Sequence, residues 1–212
     1  MNRPATLTTS MTVGWLVVFG GVFIWSAIDH RDVTTWALEV APAIIAQAVL
    51  AATARPFPLT PQVYLLILLH CVILMVGGHY TYAEVPAFDW IRDILDHQRN
   101  NYDKLGHLAQ GFIPAMVARE ILIRLQVING RGWLNFLIIC FCLAVSAFYE
   151  LLEWWVALTS EQAADAFLGT QGYVWDTQSA MMYALIGAIT ALLVLSKLHD
   201  KQLANLRMVV QY

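Results

Sequence analysis

The feature that most restricts this chain is a succession of apolar stretches, each about as long as a helix needs to cross a bilayer, roughly 20 residues at helical rise. Six are predicted, at residues 9–28, 36–53, 61–80, 104–124, 133–158 and 178–198. The second is interrupted by Glu39, Pro42 and Gln47, and the proline is tolerable where neighbouring helices satisfy the freed carbonyl. The composition agrees, with 59% apolar and 13% charged residues, against roughly a quarter charged in soluble domains. The expectation is an all-α, polytopic transmembrane bundle of about six helices, a single integral membrane domain over residues 1–212.

The first stretch is read as a retained helix, because it runs into Asp29-His30-Arg31-Asp32 without a small-x-small cleavage site. With six crossings, Arg3, Arg55, Arg119, Arg124, Arg131, Lys197, Lys201 and Arg207 share one side, and Arg31, Arg92, Arg99 and Lys104 the other. The basic excess on the first side predicts that both termini are cytoplasmic. The opposite, outer side is the acidic one. Residues 86–103 place Phe88, Ile91, Ile94 and Leu95 against Asp89, Arg92, Asp93 and Asp96, the pattern of a short interfacial helix on the outer side. An ordinary solvated loop helix would read the same way. Residues 159–177, with Gly169 and Gly172, are a candidate turn or lid.

On this topology His79, Asp103, His107, Glu150, Glu153 and Asp176 all fall near the outer ends of their helices, and Glu39 could join them. Ionisable groups at membrane depth are costly and usually face a bundle interior or a wet cavity. Asp103 and His107 are four apart, Gln110 is three further on, and Glu150 and Glu153 are three apart. Each set therefore projects from one helix face. Asp-x-x-x-His opposite Glu-x-x-Glu is a geometry able to chelate a divalent cation or position a general acid and base.

Bland readings stand beside these. Asp103 and Asp176 could simply cap their helices, and His79 could be an interfacial residue beside Tyr80 and Tyr82. Glu150 and Glu153 lie in an apolar run, where a carboxylate needs a partner or a proton. Cys71, Cys140 and Cys142 sit inside apolar segments and are expected to pack rather than to do redox chemistry. The net charge of −3 and the lack of a basic stripe exclude nucleic acid as a partner. Gly20-Gly21, and Gly187 with Ala191, could admit close helix contacts.

Four segments carry a family resemblance. Residues 77–86 read Gly-Gly-His-Tyr-Thr-Tyr-Ala-Glu-Val-Pro, and residues 101–111 read Asn-Tyr-Asp-Lys-Leu-Gly-His-Leu-Ala-Gln-Gly. Residues 146–155 read Ser-Ala-Phe-Tyr-Glu-Leu-Leu-Glu-Trp-Trp, and residues 167–178 read Phe-Leu-Gly-Thr-Gln-Gly-Tyr-Val-Trp-Asp-Thr-Gln. Together they closely resemble the YjdF-type family of bacterial inner-membrane proteins, whose function is uncharacterised. More distantly, the order Asp-Lys-x-x-His, glutamate, late aspartate is similar to the VanZ-like group, associated with glycopeptide resistance. The resemblance picks out His79, Asp103, Lys104, His107, Glu150, Glu153, Trp175 and Asp176. This chain departs from the pattern at Tyr173 and Ala180, where an acidic residue usually stands, so two potential ligands are missing.

The expectation for function is an outer-leaflet pocket of the inner membrane working as a metal-assisted hydrolase or transferase on a lipid-linked or cell-envelope substrate. Glu150, Glu153, His107 and Asp103 are the candidate catalytic residues, and His79, His107, Glu150, Glu153 and Asp176 the candidate metal ligands. Lys104, Gln110, Trp175 and Tyr80 are placed on the substrate. Mixed imidazole and carboxylate ligands suit zinc or manganese as the cofactor, and membrane lipid is the expected partner. Two alternatives use the same residues: a small transporter or proton- or cation-binding permease, and a non-catalytic lipid- or amphiphile-binding resistance protein. The apolar inner halves of the fourth and fifth stretches weigh against a polar path through one subunit.

Overall fold

A computed structural model describes residues 6–159 and 171–210, the side chains of 159 and 207–210 excepted. Among the described residues the chain forms seven helices and no strand: α1 (Thr9–Ala27), α2 (Val33–Thr53), α3 (Pro61–Tyr80), α4 (Pro86–Leu95), α5 (Tyr102–Arg124), α6 (Arg131–Thr159) and α7 (Asp176–Val210). Local chemistry sets several starts. Thr8 and Asp32 cap α1 and α2 by accepting from the amides of Met11 and Thr35, and Pro61 and Pro86 open α3 and α4. Proline suits a first turn because its missing N–H has no intrahelical acceptor there.

Among the described residues five helices, α1, α2, α3, α6 and α7, are long and apolar enough to cross a membrane. The sixth expected crossing, α5, is long enough but not apolar enough, since Asp103, Lys104, Arg119, Glu120 and Arg124 crowd its two ends. The reason is its position. It packs on α3, α6 and α7, and fourteen of its residues are buried. Charges shielded by protein on several sides need not meet hydrocarbon.

Hydrogen bonds show that α5 nevertheless runs the length of the bundle. Near its start Tyr102 donates to the Ile73 carbonyl late in α3, and near its end Glu120 accepts from Thr60 just before α3. Asp176 at the start of α7 meets Lys104, while His199 late in α7 meets Glu120. The sixteen residues from Lys104 to Glu120 therefore separate two polar ends by about 24 Å of helix. One end gathers the finish of α1, α3 and α6 and the start of α2, α5 and α7. The opposite end receives Thr6, on the Leu59 carbonyl, and Gln202, on the Gln62 amide. The first described residues and the end of α7 thus share one end.

The last expected crossing, 178–198, lies within α7, which continues to Val210. Arg119 explains the extension, because its guanidinium binds both His199 Nδ1 at 2.9 Å and Asp200 at 2.6 Å. Helix α4 ends at Leu95, earlier than the amphipathic pattern suggested, where Asp96 adopts φ 52°. Phe88 packs edge-on against Tyr102 at 5.1 Å. Trp90, Ile94 and Leu95 remain exposed, as an interfacial helix requires. Residues 160–170 of the candidate lid lie outside the described residues. Its end does dock, through two hydrogen bonds between Gln171 and the backbone of Asn100.

The closest helix crossing is α5 on α7. A methyl group at Gly111 would overlap the Ala184 carbonyl, and one at Gly187 would overlap the Leu108 carbonyl. Small residues let two backbones touch where apolar solvent provides no hydrophobic drive. Gly20 and Gly21, by contrast, have open space around them. Gly111→Val is therefore expected to destabilise the protein by about 3 kcal/mol, as overpacking against backbone does. Gly20→Val should change stability by less than about 0.5 kcal/mol. Thermal unfolding of both variants in detergent, followed by size-exclusion profile, checks the contrast.

Candidate functional site

The polar end of α5 is built around His107. Its Nδ1 lies 3.2 Å from Gln110 Oε1, one helical turn on, and its Nε2 lies 3.1 Å from Asp103 Oδ1, one turn back. Gln110 Oε1 is acceptor-only, so Nδ1 carries the proton and Nε2 faces carboxylates. Glu150 Oε1 on α6 is 3.6 Å from the same Nε2. One turn further along α6, Glu153 completes a group in which His107, Glu150 and Glu153 each offer a ligand atom within 4.8 Å of the others. An imidazole nitrogen aimed at carboxylates must carry a proton or share a cation with them.

Asp103 and Asp176 are held by fixed cations. Lys104 Nζ is 2.7 Å from Asp176 Oδ1 and 2.9 Å from Asp103 Oδ2, and Arg99 reaches the same two residues at 2.6 and 3.5 Å. The Lys104–Asp103 contact is a charge contact rather than an aligned hydrogen bond, for Asp103 Oδ2 has no hydrogen-bond donor among the described residues. Neither aspartate is an N-cap. Asp103 is the second residue of α5 and Asp176 the first of α7.

A cavity of about 140 Å³ adjoins this group, lined among others by Glu39, His70, Tyr82, Asp103, His107 and Glu153. Glu39 on α2 is buried and accepts from the Tyr149 hydroxyl at 2.8 Å. Burial holds the Tyr82 phenol well above its usual pKa, leaving a neutral hydroxyl at the wall. Among the described residues five carboxyl groups, Glu39, Asp103, Glu150, Glu153 and Asp176, thus meet two fixed cations, Arg99 and Lys104, and two imidazoles, His107 and His70. Glu150 Oε1 is buried with no hydrogen-bond partner among the described residues. The site is short of positive charge.

The opposite end of α5 makes a useful contrast. Glu120 and His199 have no solvent exposure, yet both side chains are matched. Glu120 accepts from the Thr60 amide and hydroxyl, from Arg124 and from His199 Nε2. Two acids there, Glu120 and Asp200, face two arginines, Arg119 and Arg124. That end is a satisfied structural network.

The structure brings together His107, Glu150, Glu153, Asp103 and Gln110, and leaves other expected residues apart. His79 packs against Trp25, the rings tilted by 32° with centroids 4.3 Å apart, and its Nδ1 donates to the Ser26 carbonyl, so it fastens α3 to α1. Tyr80 packs beside the same tryptophan. Asp176 is occupied by Lys104 and Arg99, and Lys104 in turn is enclosed between two aspartates. Trp175 is exposed. Of the two departures, Tyr173 lies 5.7 Å from the Arg99 guanidinium, and Ala180 is buried in α7 one turn beyond Asp176.

His70, Tyr82, Tyr149 and Arg99 were not anticipated. Arg99 carried a signal, four residues before Asp103, whereas His70 stands alone in an apolar stretch. Lys104→Met would leave Asp103 and Asp176 to share Arg99 alone. Breaking such a buried pair is expected to cost about 3 kcal/mol, read as a lowered unfolding temperature in detergent, whereas Trp175→Ala should leave that temperature unchanged.

Comparison with known proteins follows the same line. Residues 11–201 match the family described as predicted membrane protein (DUF2238). The inner membrane protein YjdF of Escherichia coli (strain K12) is 51% identical over 201 residues, covering 95% of this chain and 94% of that protein. No solved structure matches. Likeness to the VanZ-like group is not among what these comparisons show. The chain belongs to the DUF2238 family of membrane proteins.

Proposed function

We propose that this protein is a multi-pass enzyme of the bacterial inner membrane, with both termini cytoplasmic, performing metal-assisted hydrolysis or group transfer on a lipid-linked envelope substrate in the outer leaflet. The observation that carries the reading is the convergence of His107, Glu150 and Glu153, from two helices, within 4.8 Å. Among the described residues carboxyl groups outnumber the fixed cations Arg99 and Lys104 around them, and Glu150 Oε1 has no hydrogen-bond partner. A divalent cation held there, zinc or manganese by the donor set, would supply Lewis acidity and lower the pKa of a bound water.

The chain's own residues have separable tasks in this scheme. Gln110 fixes the His107 tautomer so that Nε2 can ligate, as an outer hydrogen bond commonly does for a ligating histidine. Asp103 shares His107 Nε2, and with Lys104 and Arg99 it keeps the start of α5 registered against α7. Glu39, bound to Tyr149, is placed to accept or return a proton across the cavity.

A permease would need a polar route onward from this cavity, and the adjoining wall is almost wholly apolar. A lipid-sequestering protein could use the same space but has no need of three converging ligands.

Elemental analysis of detergent-purified protein beside the double variant Glu150→Gln, Glu153→Gln tests the proposal, with equal size-exclusion profiles as the folding control. Near-stoichiometric zinc or manganese in the parent and none in the variant is expected. Metal absent from both after reconstitution would overturn it.

A further inference from the structure

A second cavity, of about 520 Å³, lies next to the polar one and shares part of its wall: Pro42, His70, Leu74 and Pro114 line both. Its remaining lining is nearly all apolar, with Ala46 and Val49 from α2, Ile67 from α3, Val117 and Ala118 from α5 and Phe141 from α6. The two prolines sit inside α2 and α5, where each removes a backbone donor and loosens the helix. The seam between the cavities falls at these two positions.

The space exists because α2 packs on α3 while α6 packs on α5 and α7, leaving no extensive contact between α2 and α6. The Tyr149–Glu39 hydrogen bond joins those two helices at the polar end. Further along, the exposed side chains of Val49, Ile121, Leu125 and Phe141 rim the opening. Helices α2, α3 and α6 are long and apolar enough to cross a membrane, so the part of this opening between α2 and α6 faces hydrocarbon, with Ile121 and Leu125 at its far end. An apolar void forfeits dispersion contacts, and water inside it would lack polar partners. A lipid chain satisfies both requirements.

Length narrows the occupant. From Ile113 to Leu125, the residue that caps α5, the cavity follows twelve residue steps, about 18 Å, which exceeds the half-thickness of a hydrocarbon core of about 30 Å. A chain entering beside the polar cavity and filling this one would pass the bilayer midplane. The small polar cavity takes only a small headgroup. We infer that the α2–α6 cavity seats the hydrocarbon chain of a long-chain lipid whose small headgroup occupies the cavity lined by His107 and Glu153, with His70 at the headgroup–chain junction. The inference rests on the proposed reading of the polar cavity as the reacting site, and it names the substrate class.

Photolabelling tests it with full-length protein in phosphatidylcholine vesicles. The probe is a phosphatidic acid carrying a diazirine on its chain, and labelled residues are mapped by peptide mass spectrometry. Labels concentrated on Val49, Val117 and Phe141 are expected. Filling the cavity by Ala46→Trp or, separately, Ala118→Phe should reduce them roughly tenfold, the effect of an overpacking cost near 1.4 kcal/mol. Labelling of Leu16 and Val17 on α1 should not change and reports intact folding. Labels spread evenly over lipid-facing helices, or unaltered by both substitutions, would overturn the inference. The Glu150→Gln, Glu153→Gln variant separates the two proposals. Cavity labelling with no metal in the parent defeats only the metal reading, and metal without cavity labelling defeats only this one.

Discussion

Everything in this fold depends on where the charges of α5 can be put. A helix with Asp103, Lys104, Arg119, Glu120 and Arg124 cannot face hydrocarbon at either end. Helices α3, α6 and α7 therefore surround it, and α7 supplies counter-charges at both extremes, Asp176 at one and His199 with Asp200 at the other. Close approach makes this practicable. Gly111 and Gly187 let the α5 and α7 backbones touch, bringing short side chains such as Asp176 within reach of Lys104.

The two polar ends of α5 differ in kind. At the Glu120 end Glu120 and Asp200 each have a base and the Glu120 carboxylate has its donors, which ties α3, α5 and α7 together. At the His107 end, carboxyl groups outnumber cations, a carboxylate oxygen is orphaned, and a cavity stands open beside it. Such an imbalance stores free energy that a cation or proton can release, and a chain needs that kind of arrangement at a site of chemistry more than at a structural joint.

Much of the fold was legible because apolar length is a strong signal: Pro61–Tyr80 matched its predicted bounds, and α1 differed by one residue. Errors arose where distant partners intervened. The continuation of α7 beyond the span at 178–198 has no local signal, because Arg119, eighty residues earlier, binds His199 and Asp200. The burial of α5 was hidden because charge at a helix end reads the same whether water or protein receives it. The spacing of Asp103, His107 and Gln110, and of Glu150 and Glu153, did identify which faces converge. It could not show that His79, placed at the same depth, turns instead toward Trp25. Nor could it reveal Tyr149 holding Glu39, or His70 between two cavities, since neither has a local pattern.

On the proposed reading a cation belongs between His107, Glu150 and Glu153. Anomalous diffraction from crystals of the purified protein, recorded on either side of the zinc and manganese absorption edges, addresses it most directly. The expected result is one strong anomalous peak within bonding distance of His107 Nε2 and of one oxygen from each glutamate, about 2.0–2.2 Å for zinc. No peak after metal soaking, with His107 Nε2 hydrogen-bonded to Asp103 and the two glutamates sharing a proton, would contradict it.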